Sequence, residues 1–213
     1  MLKRSADPEA LMIRMQHLSR RLCGLHTRHL KSGDFIWPYL DGGKGAPVVL
    51  LHGYGADKDR FGSLALFLSR RHRVIIPDIP GFGEHPPDWS HFYGVHAQVV
   101  RLDGFLRALG LQRFHLMGLS LGGYLAGVYA ARFPRRVRTL ALMDSAGFSS
   151  PVPSDAQRIF ESGGRNIFLY SDEREMRVLL DFLLCHPIKL PKTLLSCWVR
   201  QGLSRQAWRA KLF

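Results

Sequence analysis

The chain has 213 residues, 46% of them hydrophobic and 22% charged, and a formal net charge of +13. This composition excludes a disordered or fibrous polypeptide and supplies apolar material for one core, so a single domain with an inserted subdomain is the default organisation. The charge divides as +5 over residues 1–31, +4 over 32–149 and +4 over 150–213; spread in this way, and without basic residues interleaved with stacking aromatics, it argues against a nucleic-acid partner.

Residues 1–31 read as an N-terminal amphipathic basic helix. In LMIRMQHLSRRLCGL, Leu11, Met15, Leu18, Leu22 and Leu25 recur at helical spacing with arginines between them. The default is that this stripe packs on the domain; the alternative is a helix lying on a membrane surface, which makes residues 10–25 a candidate peripheral membrane contact. The start lacks the continuous apolar stretch of a secretory signal, and no run of about 18 apolar residues could span a bilayer. Cys23, Cys185 and Cys197 form neither a C-x-x-C pair nor a cluster with histidines at metal-ligand spacing. They are read as reduced thiols of a cytoplasmic protein, and no metal is expected.

Residues 32–149 alternate between two periods. FIWPYL (35–40) reads as a strand ahead of the Asp-Gly-Gly turn at 41–43, and PVVLLHG (47–53) as a continuously apolar strand of the buried parallel kind. RFGSLALFLSR is helical, RVIIPD (73–78) a second buried strand, and residues 91–110 an amphipathic helix ending at Gly110. RFHLMG is a third buried strand, SLGGYLAGVYAARF the helix after it, and VRTLALMD (137–144) the fourth buried strand. Strands alternating with helices predict an α/β fold, a mostly parallel sheet flanked by helices, with ligands bound at the carboxyl ends of the strands. After Asp144 the rhythm breaks: residues 150–213 open on the Pro-Ser stretch SSPVPSD and continue as helical patches without a clear strand, which reads as a helical cap insertion.

The chemistry concentrates in GLSLGG, residues 118–123. A strand ending at Met117 must reverse sharply into a helix beginning near Leu121, which forces Ser120 into a strained conformation and holds its hydroxyl out at the sheet's edge. Gly118 and Gly122 leave room for neighbouring backbone, and the Leu121 amide, at a helix N-terminus, points toward any oxyanion formed on a substrate. The alternative is a small-residue turn that merely packs helix on strand.

With these pieces in place the chain resembles an α/β-hydrolase of the serine esterase and lipase type. The matching segments are VVLLHGYGADKDRF, RVIIPDIPGFGEH, FHLMGLSLGGYLAGVYAARFP and VRTLALMDSAGF, together covering residues 47–148. HGYGADKDRF, GVYAARFP and a cap segment ending in WRAKLF are most similar to the monoacylglycerol-lipase-like branch. The resemblance implies that Ser120 is the nucleophile and that the amides of Tyr54 and Leu121 form the oxyanion hole. It also implies that His52 and Gly53 shape the turn carrying Tyr54, and that an ester or lipid is the substrate with no cofactor.

The family's triad runs serine, acid, histidine, with the acid after the seventh strand and the base after the eighth. This sequence reaches Phe213 in the cap, so the expectation is a chain truncated before its last two strands, with a serine lacking its base. Substitutes within the chain would be Asp144 as acid and His186 or His85 as base, while His115, on a buried strand, is expected to be structural. The activity expected is therefore carboxylic-ester hydrolysis through an acyl-enzyme, carried weakly or not at all by these 213 residues. A carbon-carbon bond hydrolase of the same fold and a non-catalytic ligand-binding relative are the alternatives; dehalogenases and epoxide hydrolases are disfavoured because their elbow nucleophile is aspartate.

Overall fold

The computed structural model describes residues 7–149, 151–153, 155–163, 166–184, 186 and 190–212; Cys185 lies outside them. The chain divides into two units, one of residues 17–148 and one formed by the described residues of 1–16 and 149–213.

In the larger unit, β1 (Leu25–Ser32), β2 (Phe35–Gly42), β3 (Pro47–Leu51), β4 (Arg73–Pro77), β5 (Phe114–Leu119) and β6 (Val137–Met143) form one sheet in the order β1-β2-β4-β3-β5-β6. The four strands from β4 to β6 are parallel, and the β1–β2 hairpin adds two antiparallel pairings at one side. β3 and β4 sit at the centre because all but their first residues are apolar and buried on both faces. On one face Val48, Leu50, Val74 and Ile76 pack with Phe61 and Ala65, the latter from α2 (Gly62–Leu68). On the other, α3 (Val95–Ala108) stacks Phe105 on Trp37 of β2 with ring centroids 4.5 Å apart. α4 (Leu121–Arg132) is joined to α3 by the Tyr129 hydroxyl, which donates to Asp103 at 2.8 Å.

Three expectations are corrected. Among the described residues of the N-terminal helix expected across 1–31, Pro8–Leu22 are helical (α1), but Leu25–Ser32 are a strand instead. Gly33, with φ 58, and Asp34 close a two-residue hairpin between the paired Ser32 and Phe35, a turn that requires glycine at its first position. The apolar stripe of α1 does not pack: Leu11, Met15, Leu18 and Leu22 are exposed, while Met12, Gln16, Ser19 and Arg20 form the half-buried side. Finally, β6 is not a buried strand. It is the sheet's edge, with Leu140, Leu142 and Met143 each about two-fifths exposed. The opposite edge, β1, presents His26, Arg28, His29 and Lys31 to solvent.

The second unit is helical, with α5 (Asp155–Glu161), α6 (Glu173–Leu183), α7 (Lys192–Leu203) and α8 (Gln206–Leu212), and shows no strand among its described residues. Asp172 caps α6 by accepting from the Glu175 amide at 2.8 Å. Tyr170, Met176, Leu179, Leu195 and Val199 make a small core of their own.

An apolar edge that carries a single charge, Arg138, still invites strand addition. The purified 213-residue chain is expected to self-associate in a concentration-dependent way by light scattering, and Leu140→Lys with Leu142→Lys to shift it toward monomer. A monodisperse monomer at all concentrations would refute this.

Candidate active site

β5 ends at Leu119 and α4 begins at Leu121, so Ser120 alone makes the reversal. Its backbone is left-handed, φ 52 and ψ −116, a conformation that costs a residue with a side chain about 1–3 kcal/mol. Three hydrogen bonds hold it there. The Ser120 amide donates to the Met143 carbonyl at 2.9 Å, and the Ser120 carbonyl accepts from Tyr124 at 3.0 Å and Ala146 at 3.1 Å.

The neighbouring glycines are dictated by close backbone approach. A β-carbon on Gly118 would strike the Gly122 carbonyl, and one on Gly122 would strike the carbonyl of Leu51 and come within 2.6 Å of that of His52. With Leu51 paired to Gly118 in parallel register, the turn after β3 arrives beside the elbow. A β-carbon on Gly53 would lie 3.3 Å from Ser120 Cβ and 3.8 Å from its Oγ. Tyr54 follows directly, and Leu121 occupies the first position of α4, whose amide has no partner inside the helix. The sheet thus brings Ser120, Gly53 and Leu121 into one corner, with Tyr54 next to Gly53 in the chain.

The histidines are employed elsewhere. His52 is fully buried; its Nε2 accepts the Ile79 amide at 3.0 Å, so Nδ1 carries the proton and donates to the Gly53 carbonyl at 2.9 Å. Burial pushes its pKa below the ordinary histidine range, although Asp78 pulls the other way. His85 is buried against Phe35 and Trp37, and its Nε2 donates to the Asp78 carbonyl at 3.1 Å. Burial lowers its pKa as well. His115 is bonded to Thr139 at 2.7 Å, and His186 is exposed in the helical unit. Asp144 is exposed at the end of β6 with a left-handed φ of 41 and accepts no hydrogen bond among the described residues. No described side chain is hydrogen-bonded to the Ser120 hydroxyl, and the described residues contain no group of three His, Cys, Asp or Glu arranged for a metal.

Sequence reasoning missed Lys58. It is 2% exposed, and its ammonium donates to Asp78 at 2.9 Å and to Glu84 at 2.5 Å while its amide donates to Asp78 at 2.7 Å. Burial pulls the ammonium's pKa down, but Asp78 and Glu84 outweigh it and hold the pKa above the usual lysine value. In the sequence it stands in ADKDR, a charged run that looks like a solvated loop; only the tertiary fold encloses it.

A family model described as alpha/beta hydrolase fold matches residues 46–187. The chain belongs to the α/β-hydrolase fold family. Lipase 1 of Psychrobacter immobilis is 35% identical to it over 187 residues, covering 86% of this chain and 58% of that lipase. The monoacylglycerol lipase abhd6-B of Xenopus laevis is 29% identical over 205 residues, covering 91% and 61%. The crystal structure of a bacterial membrane phospholipase A superposes with a TM-score of 0.92 at 33% identity, over 97% of this chain and 67% of that one. This α/β-hydrolase chain therefore spans about three-fifths of the length of these curated relatives.

Burial of His52 and His85 has a thermodynamic sign. Both stay neutral in the folded state, whereas the unfolded chain takes up their protons near the ordinary value of about 6.5. Their contribution to stability is present above that pH and is lost as pH falls below it toward the depressed folded values. The melting temperature is expected to hold between pH 8 and 7 and to drop between pH 6.5 and 5; a rise over that interval would show that another group dominates.

Proposed function

We propose that this protein is a serine carboxylic-ester hydrolase acting on acylglycerols or similar apolar esters, with Ser120 as nucleophile. The observation that supports it most directly is the strained single-residue elbow, φ 52, with the Gly53–Tyr54 turn against its side chain. The hydroxyl oxygen attacks the ester carbonyl and, with no described side chain bonded to it, its proton passes to solvent water. The negative charge collects on the former carbonyl oxygen near the amides of Leu121 and Tyr54, and collapse expels the alcohol to leave an acyl-serine that water cleaves. Similarity to lipases supports an apolar acyl group.

Because no described histidine is bonded to Ser120, the 213-residue chain is expected to turn over a short-chain nitrophenyl ester only at the residual level of base-less sites, roughly 10³–10⁴ times the rate in water. A fluorophosphonate should label Ser120 slowly and the Ser120→Ala variant not at all, read by peptide mass. Absence of label would favour a non-catalytic binding role. Cleavage of a diketone in place of an ester would assign the carbon-carbon hydrolase reading. Fast, Ser120-dependent ester turnover would overturn the expectation of a missing base, and His85, His186 and Asp144 are then each tested by substitution.

No described helix is long and apolar enough to cross a membrane. Peripheral contact through residues 10–25 is supported by the outward stripe of α1, where Met15 is 58% and Leu22 65% exposed beside the exposed Arg14 and Arg21. Vesicles rich in phosphatidylglycerol should sediment with the chain and phosphatidylcholine vesicles much less, with Leu18→Glu weakening the binding about tenfold. Equal binding by Leu18→Glu would refute this contact.

A further inference from the structure

The turn that carries Tyr54 is fastened at both ends to a single neighbouring segment. At its start, His52 Nε2 accepts the Ile79 amide. At its end, Asp78 accepts three bonds with one carboxylate: the Lys58 amide at 2.7 Å on Oδ1, and the Lys58 ammonium at 2.9 Å and the Glu84 amide at 3.0 Å on Oδ2. Glu84 completes the arrangement by receiving the ammonium at 2.5 Å from its half-exposed position. Gly83, at φ +58, lies so close to the Asp78 carboxylate that a β-carbon there would overlap it, so the carboxylate is gripped by backbone as well.

An ion pair this deeply buried is a poor source of stability, since desolvation offsets much of its attraction and an apolar pair of similar volume would serve as well. What an apolar pair would lack is direction. Asp78 fixes the backbone at residue 58, the side chain at 58 and the backbone at 84 through one rigid group, and the segment between the two fastenings is Gly53 to Asp57. An oxyanion-hole amide must sit about 2.7–3.1 Å from the developing charge, and a displacement of about 1 Å costs on the order of 10²-fold in rate.

We infer that Lys58, Asp78 and Glu84 form a positioning clamp that sets the Tyr54 amide against Ser120; this rests on the reading of Ser120 as nucleophile. These residues touch no substrate and act through the turn.

The test uses the full 213-residue chain and an alkyl fluorophosphonate, with the maximal rate and half-saturating concentration of Ser120 labelling measured by intact mass. Amide hydrogen exchange over residues 53–57 is followed in parallel, with α3 as the internal reference. Lys58→Met is expected to slow maximal labelling at least tenfold with the half-saturating concentration changed less than twofold, and to speed exchange over 53–57 about tenfold while α3 is unchanged. Lys58→Arg, which restores the cation, should recover labelling to within about threefold. Glu84→Gln removes only the half-exposed member; it should give the same pattern at about threefold, and it decides the matter if Lys58→Met does not fold. Unchanged exchange over 53–57 in the folded variants overturns the clamp, and faster exchange with unchanged labelling overturns its bearing on Ser120. A wild-type chain left unlabelled at Ser120 refutes the nucleophile reading instead, and the exchange measurement alone then decides whether the clamp holds the turn.

Discussion

A left-handed backbone at a residue that carries a side chain is the constraint around which one end of this sheet is arranged. Ser120 holds φ 52 because its amide is bonded to the end of β6 and its carbonyl to the first turn of α4 and to Ala146. Those bonds require α4 to start at once, which drives Gly122 onto the carbonyls of Leu51 and His52. The sterics that project the hydroxyl thus also draw the turn after β3 alongside it. Strain at Ser120 and proximity of Gly53 are one fact seen from two strands.

That turn is secured by two chemically different means. His52 is neutral, uses both ring nitrogens in hydrogen bonds, and needs no counter-charge in its buried position. Lys58 is a cation 2% exposed beside a carboxylate that is fully buried; removing such ions from water costs several kcal/mol each, so one is tolerated only when its partner is in place. The Arg107–Asp103 pair on α3 differs in that its cation is 61% exposed, so water screens it. Position in the fold, not charge content, separates these pairs.

What the sequence made legible were features encoded locally. The continuous apolar runs PVVLL and RVIIP announce central strands because both of their faces are covered, and the glycines around Ser120 announce a reversal because nothing larger fits. What escaped depends on distant residues. LHTRHLKS carries no apolar alternation of its own; it is a strand because Gly33 turns it back onto β2. Apart from Arg138 and Thr139, VRTLALM is an apolar run like the central strands, and RVIIP shows that one arginine does not mark an edge. The outward stripe of α1 obeys the helical period while reversing its usual direction, and the burial of Lys58 required loops twenty residues apart to meet.

The unlike edges of the sheet bear on how chains can join. β1 closes its side with His26, Arg28, His29 and Lys31 pointing to solvent, while β6 exposes Leu140, Leu142 and Met143 with a single charge, Arg138. A strand arriving at β1 would have to desolvate a row of basic side chains, and two such edges repel each other. Growth is therefore open in one direction only. Two chains meeting β6 to β6 about a two-fold axis would use up both open edges, leaving a pair bounded on each flank by charge. Propagation into a fibre needs two compatible edges per chain, and this sheet has one.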